Sequence, residues 1–425
     1  MRIPSLLPLI NIFLRASTLL AKFLLVFLLA RFLTPGEVGI YGLLAATVGY
    51  ALYAVGLDFH AYSTRELLTR ERTGWGGYLK SQAVLCVLLY GGLAPVALVV
   101  FAAGWLPWVL LPWFVCLLVL EHLNQELMRL LITCGYQLIA TLSLFLRSGL
   151  WAIVVALMMM LDPAWRTLEH VLQAWVAGSA FGVVAAVWQL SRLGIGGWHA
   201  SVDWPWLRRG IAVAAPMLVA TLSLRALFTL DRYWFQALVD LDTLGAYVLF
   251  ASISTALVAF LDAGVFAFSY PALIKAYHAH DPVAFVAQLK KLFSHTVLLS
   301  LGFVLCALAL IYPLLSWLDK PLYVEHGSLF PWLLAGTCIY GLGMVPHYAL
   351  YAQSLDKPII QSHVLGLAVF VILGASLSPW LGGLAVPVGV CCAFVFILCW
   401  KVWSFLRLTP APFRSFRPVD RQDVI

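Results

Sequence analysis

Apolar runs of about 20 residues alternate along the chain with short polar or Pro/Gly-rich breaks, the pattern of helices crossing a bilayer one after another. Splitting at those breaks predicts twelve spans. The first six cover residues 9–33, 38–57, 81–103, 107–131, 136–161 and 168–190. The second six cover 210–231, 243–264, 293–315, 327–352, 359–378 and 384–405. The fold class that follows is all-α and polytopic, with two six-helix lobes. The polar stretch from Ser191 to Arg209, with Gly194, Gly196 and Gly197, reads as the linker. The lobes are accordingly set at 1–200 and 201–425, the second ending in a short basic tail.

Composition removes the alternatives. With 63% hydrophobic residues, only 11% charged ones over 425 positions and a mean hydropathy of +0.95, the chain cannot tile a water-facing surface. Soluble domains carry about 25% charged residues. No polar stretch is long enough for a soluble catalytic domain, an ATPase module or a nucleic-acid-binding domain. The eight cysteines sit in or at the ends of apolar runs without a C-x-x-C pair, so they read as reduced packing residues. Neither a metal site nor a cofactor is expected. No G-x-x-x-x-G-K-[ST], G-x-S-x-G or H-E-x-x-H occurs, and the chain is not read as an enzyme. Arg2 before an apolar run has the look of a secretory signal. That run is far too long for one and carries Arg15 and Lys22, so it reads as a retained first span.

Charge sets the orientation. Twelve spans put both termini on one side, and eighteen of the 26 basic residues, Lys401 among them, fall on that side by this count. By the positive-inside rule both termini are cytoplasmic.

The two halves resemble each other. The stretch Leu33-Thr34-Pro35-Gly36-Glu37-Val38-Gly39-Ile40-Tyr41 recurs 206 residues later as Val239-Asp240-Leu241-Asp242-Thr243-Leu244-Gly245-Ala246-Tyr247. Each joins the first span of its half to the second. Two parallel six-span repeats are a transporter architecture with the substrate site between halves.

Four basic residues lie inside spans, where an ionisable group costs on the order of 3 kcal/mol on insertion scales and is a functional candidate by default. Asn11, Arg15, Thr18 and Lys22 follow i, i+4, i+7, i+11, one face of one helix. Arg147 and Arg225 are the other two. Against them stand Glu121 and Glu126 in the fourth span, leaving a surplus of positive charge. Arg147 with Glu121 and Arg129 with Glu126 are candidate structural pairs, but Arg15 and Lys22 have no acid within their own helix. A water-filled cavity with a cationic wall suits a multiply anionic headgroup, because Arg grips phosphate oxygens bidentately and Lys supplies a point charge. Glu121, Glu126, Asp262 and His347 are the candidates for coupling to an ion. Asp262 is placed near the cytoplasmic end of span eight, and tryptophan clusters such as Trp105, Trp108 and Trp113 or Trp198, Trp204 and Trp206 read as interfacial belts.

Several stretches resemble a known family. Ala30-Arg31-Phe32-Leu33-Thr34-Pro35-Gly36-Glu37 running to Tyr41, Gly56-Leu57-Asp58-Phe59-His60 running to Glu66, and Gln125-Glu126 to Arg129 with Leu146-Arg147 are similar to bacterial polysaccharide (Wzx-type) flippases. Leu230-Asp231-Arg232 and Val345-Pro346-His347-Tyr348 add to the likeness, which covers essentially the whole chain. The resemblance implies a MATE-like two-lobe bundle of the MOP superfamily in the bacterial inner membrane. It also implies an undecaprenyl-diphosphate-linked oligosaccharide, flipped between leaflets by alternating access for O-antigen, capsule or exopolysaccharide synthesis. Membrane lipids, H+ or Na+ as coupling ion and the polysaccharide polymerase machinery are the implied partners. The competing expectation is a MATE-like exporter of small organic cations, which calls for an acidic cavity.

Overall fold

The computed structural model describes residues 7–414, and among them helices are the only regular elements. Arg2, Arg417 and Arg421, counted above among the basic residues, lie outside the described residues. Eleven stretches are long and apolar enough to cross a membrane. The last, Asp356–Leu408, contains two helices broken at Gly382, whose φ of +53° with ψ of −132° is a backbone conformation that glycine alone adopts cheaply. Twelve apolar passes result, in a multi-pass membrane protein.

Compactness divides the chain into Met1–Leu218 and Val219–Ile425. In the first unit the long helices are α1 (Leu7–Phe32), α2 (Pro35–Gly56), α4 (Trp75–Ala102), α5 (Leu111–Thr133) and α8 (Leu168–Ser191). A short α3 (His60–Leu68) follows α2. One further pass is composite: α6 (Gln137–Phe145) and α7 (Trp151–Leu161) are joined by a widened π turn, Leu146–Leu150. Helix α9 (Trp204–Leu227) begins in this unit and ends in the next.

The repeated sequence is a helix start in both halves. Thr34 caps α2, its hydroxyl accepting from the Glu37 backbone N–H at 3.3 Å while the Glu37 carboxylate accepts from the Thr34 N–H at 2.9 Å; Pro35 supplies a helix-ready φ. In the second half Asp240 does the same, accepting from the Thr243 N–H at 2.6 Å at the start of α11 (Leu241–Leu261). Hydrogen bonds from the Thr243 backbone N–H and hydroxyl hold the Asp240 carboxyl below its ordinary range.

The glycine-bearing stretch before α9 is strapped to the first unit. The Gly76 N–H donates to the Gly196 carbonyl at 2.7 Å, Lys80 to the Ala200 carbonyl at 3.1 Å and the Asp203 N–H to Ser81 Oγ at 3.0 Å. Gly196 passes so close to Thr73 that a Cβ would lie 2.7 Å from its carbonyl oxygen. Trp206, fully buried, anchors the start of α9 among Phe59, Tyr62 and Tyr78 with ring centroids 5.1–5.5 Å away.

The second unit continues with α10 (Leu230–Leu238), α11, α12 (Ala267–His278), α13 (Pro282–Leu318), α14 (Pro321–Glu325), α15 (Leu329–Ala352), α16 (Asp356–Leu381), α17 (Ala385–Leu408) and α18 (Ala411–Arg414). Two helices outrun the predicted spans. Helix α13 has 37 residues, about 55 Å at 1.5 Å each against a hydrocarbon core of about 30 Å. Helices α11 and α12 form one pass through a second π turn, Asp262–Phe266, so Asp262 lies mid-helix and not at the cytoplasmic end predicted for it. Lys401, counted with the basic residues on the side of the termini, does not reach that surface: it lies inside α17 and is 1% exposed.

Candidate functional site

In the first unit the charged residues of the spans converge on Glu121 of α5, itself 7% exposed. Arg147, at the π turn, directs Nε and Nη2 onto Oε2, each at 2.6 Å. From α8, Trp175 Nε1 and Ser179 Oγ donate to Oε1 at 2.9 and 2.8 Å. A desolvated carboxylate thus receives four donors, which is what an ionised acid in a low-dielectric interior requires.

Small residues make this approach feasible. A Cβ on Gly182 would lie 2.5 Å from Asn124 Oδ1 and 3.1 Å from Arg147 Cβ, and one on Gly178 would lie 2.5 Å from Trp151 Cδ1. Trp151 in turn donates its indole N–H to the Arg147 carbonyl at 2.8 Å and stacks on Trp175, with planes 11° apart and centroids 6.0 Å apart. Tyr41 of α2 closes the aromatic side, 5.9 Å from Trp175. Trp151 and Trp175, outside the tryptophan clusters read from sequence as belts, thus belong to an interior network.

Helix α1 brings its polar face to this network. Lys22 lies within electrostatic reach of both Glu121 and Arg147, and Thr18, buried and bonded to the Leu14 carbonyl at 2.8 Å, sits against Gly149 of the π turn. Arg15 and Asn11 lie two and three turns further toward the N-terminus. Among the described residues neither Arg15 nor Lys22, both exposed, forms an ion pair or hydrogen bond. The structure therefore gathers Thr18, Lys22 and Arg147 about Glu121, leaves Arg15 and Asn11 higher on the same helix, and puts Arg225 in the other unit.

Glu126, one and a half turns beyond Glu121, faces a different space. Arg129 Nη1 reaches its Oε1 at 2.7 Å and Gln82 Nε2 its Oε2 at 2.7 Å. These groups line the polar end of a cavity of about 870 Å³ whose walls are Leu79, Val87, Leu123, Leu127 and their neighbours. Tyr90 and His122 Nδ1, 3.0 Å apart, border it, as does His60 of α3. Burial and the Arg129 charge push the His60 imidazole down to about 4, so it is neutral at pH 7.

In the second unit Asp262 interacts electrostatically with Arg225 and with Tyr348. Asp231, 5% exposed at the start of α10, accepts from Tyr247 Oη at 2.8 Å and from the Arg232 N–H at 2.8 Å; Arg232 also donates to the Phe228 carbonyl. The repeat tyrosines, Tyr41 and Tyr247, thus both stand near a buried carboxylate. His347 meets two residues that sequence reasoning passed over, His363 of α16 and Lys401 of α17. The signal for Lys401 was present: a lone lysine between Trp400 and Val402, two turns before the helix ends.

No protein-family model matches this chain, and no curated protein matches it in sequence. Solved structures do share its fold. A multidrug resistance MATE family transporter of the MOP superfamily, in an inward-facing conformation, superposes with a TM-score of 0.74 at 13% identity, over 94% of this chain and 97% of that one. The lipid II flippase MurJ, in an inward closed conformation, gives 0.71 at 13% identity over 95% and 88%. A MOP superfamily transporter from Pyrococcus furiosus, described by the reversed polarity of its binding pocket, gives 0.55 at 13% over 95% and 94%. The fold is that of the MATE and MOP transporters, as the all-α two-lobe reading expected.

Proposed function

We propose that this chain is a flippase that moves an undecaprenyl-diphosphate-linked oligosaccharide from the inner to the outer leaflet of a bacterial cytoplasmic membrane by alternating access, for polysaccharide assembly. One observation carries the reading. The two acids of α5, Glu121 and Glu126, are each engaged by an arginine, whereas Arg15 and Lys22 on one face of α1 are not ion-paired among the described residues. The unsatisfied charge is positive, and its counterpart is an anionic ligand with several oxygens, such as a diphosphate. The fold shared with a lipid II flippase supports the same substrate class.

An exporter of organic cations, the competing reading, needs a carboxylate left available to its cargo. Glu121 already receives four donors. Orientation by the positive-inside count puts both termini in the cytoplasm, and the glycan on the far side would pass to a polymerising machinery.

Reconstitution in liposomes with a lipid-linked oligosaccharide, followed by sugar accessibility from one leaflet, tests the proposal. Time-dependent transfer requiring the protein is expected. Absence of transfer with and without an ion gradient, together with uptake of an organic cation, would replace it with the exporter reading.

A further inference from the structure

The second unit holds a basic cluster that the diphosphate reading does not use. His347 of α15, His363 of α16 and Lys401 of α17 converge in its interior. The two imidazole rings are parallel within 5°, with centroids 6.1 Å apart, and Lys401 acts electrostatically on both. His363 is 4% exposed. Helices α16 and α17 close tightly beside the cluster, for a Cβ on Gly366 would lie 2.5 Å from Ile397.

The hydrogen-bond inventory is incomplete in a specific way. His363 Nδ1 lies 3.2 Å from the Ala220 carbonyl and therefore carries a hydrogen, which leaves Nε2 as the open position. Among the described residues that Nε2 and His347 Nδ1 have no hydrogen-bond partner. No carboxylate acts on Lys401 among the described residues. The other groups facing His347 are Tyr351, parallel at 6.5 Å, and Tyr348, edge-on at 5.4 Å. Behind Tyr348 stands Asp262, which Arg225 already faces.

Two open imidazole nitrogens beside a buried amine on which no acid acts among the described residues offer lone pairs to a proton. Hard metal cations take oxygen ligands, which this set does not present. Basic groups packed this closely do not titrate independently, because each proton bound alters the affinity of its neighbours for the next.

We infer that His347, His363 and Lys401 form a proton-binding site that loads and releases one proton as a unit and serves as the coupling-ion site of transport. Its role in coupling rests on the transporter reading above, whereas proton binding itself does not. The proton comes from bulk water and returns to it, with no other species consumed.

The test uses the full-length protein in lipid nanodiscs, with histidine ring resonances followed by NMR between pH 5 and 9. The two rings are expected to move with one shared midpoint, displaced by at least one pH unit, a tenfold change in proton affinity, in Lys401→Met, which keeps the stem and drops the charge. Lys401→Arg, which keeps the charge, is the control for packing. Unchanged midpoints in Lys401→Met, two independent midpoints, rings that never titrate, or resonances that follow chloride at constant pH overturn the site. In liposomes, stimulation of flipping by a pH gradient is expected in the native protein and in Lys401→Arg and lost in Lys401→Met; stimulation that survives Lys401→Met overturns the coupling role. A native protein that titrates as described but flips nothing overturns the flippase reading and leaves the proton site standing.

Discussion

Arg147 places two nitrogens on a single oxygen of Glu121, and the other oxygen is left to Trp175 and Ser179. The pair is 26 residues apart in sequence and ties the π turn to α5 and α8. Breaking one side of such a buried pair strands the other charge, at a cost of about 3–5 kcal/mol. Arg147→Met or Glu121→Gln should each lower stability by that order in thermal unfolding in detergent. The double variant should cost less than the two singles added together, because no charge is stranded. Additive losses would show that the pair is not coupled.

Lys22 and Arg15 carry the substrate prediction. Lys22→Ala and Arg15→Ala should each slow flipping of a lipid-linked oligosaccharide by at least about tenfold, the equivalent of one charge-assisted hydrogen bond. Expression, membrane insertion and melting temperature should stay as in the native protein. Full flipping in both variants removes the cationic face of α1 from the mechanism.

The close approach of α7 and α8 is tested at Gly178. A methyl group there meets Trp151 at 2.5–2.8 Å, and the backbone of two packed helices cannot yield cheaply. Gly178→Ala should destabilise by about 1–3 kcal/mol. The shift of tryptophan emission should report the loss of the Trp151–Trp175 stack, and an unchanged spectrum would mean that the helices separate freely.

His60 supplies a pH dependence. Its imidazole is held at about 4, below the ordinary 6.5, so between those values the unfolded chain binds the proton that the folded chain refuses. The contribution to stability is full above pH 6.5 and falls as pH drops toward 4. Melting temperature should decline between pH 7 and pH 5, and His60→Phe should flatten that decline. Equal slopes in the two proteins would assign the acid sensitivity elsewhere.

Thr34 and Glu37 test the meaning of the internal repeat. Loss of the Thr34 cap in Thr34→Ala should cost about 1 kcal/mol, measured by chemical denaturation, and Asp240→Ala should show the same order of loss in the second half. Loss in one variant alone would leave the repeat without a shared structural meaning.

The legible part of this protein is the part written in local spacing. Twelve passes follow from runs of about 20 apolar residues, the two caps from Thr34 with Glu37 and Asp240 with Thr243, and the Glu126–Arg129 pair from a separation of three on one helix. Glu121 with Arg147 was open to suspicion, but Trp175 and Ser179 joined it only through the packing of α8. His363 and Lys401 were obscured for a physical reason. A basic residue within two turns of a helix end reads as one that reaches the interface, and only the inward direction of the side chain, set by helix packing, shows otherwise. Backbone hydrogen bonds left even less trace: nothing in Gly194 to Gly197 announces that Gly196 is tied to Gly76.

That strap has a mechanical consequence. A segment fastened at Gly76, Lys80 and Ser81 and anchored by Trp206 belongs to the first compact unit. The chain leaves the first compact unit only at Leu218, inside α9 and two residues beyond Pro216, which lacks the N–H needed to bond the preceding turn. Where the chain passes from one compact unit to the next, α9 therefore runs through a turn that lacks one hydrogen bond of its ladder.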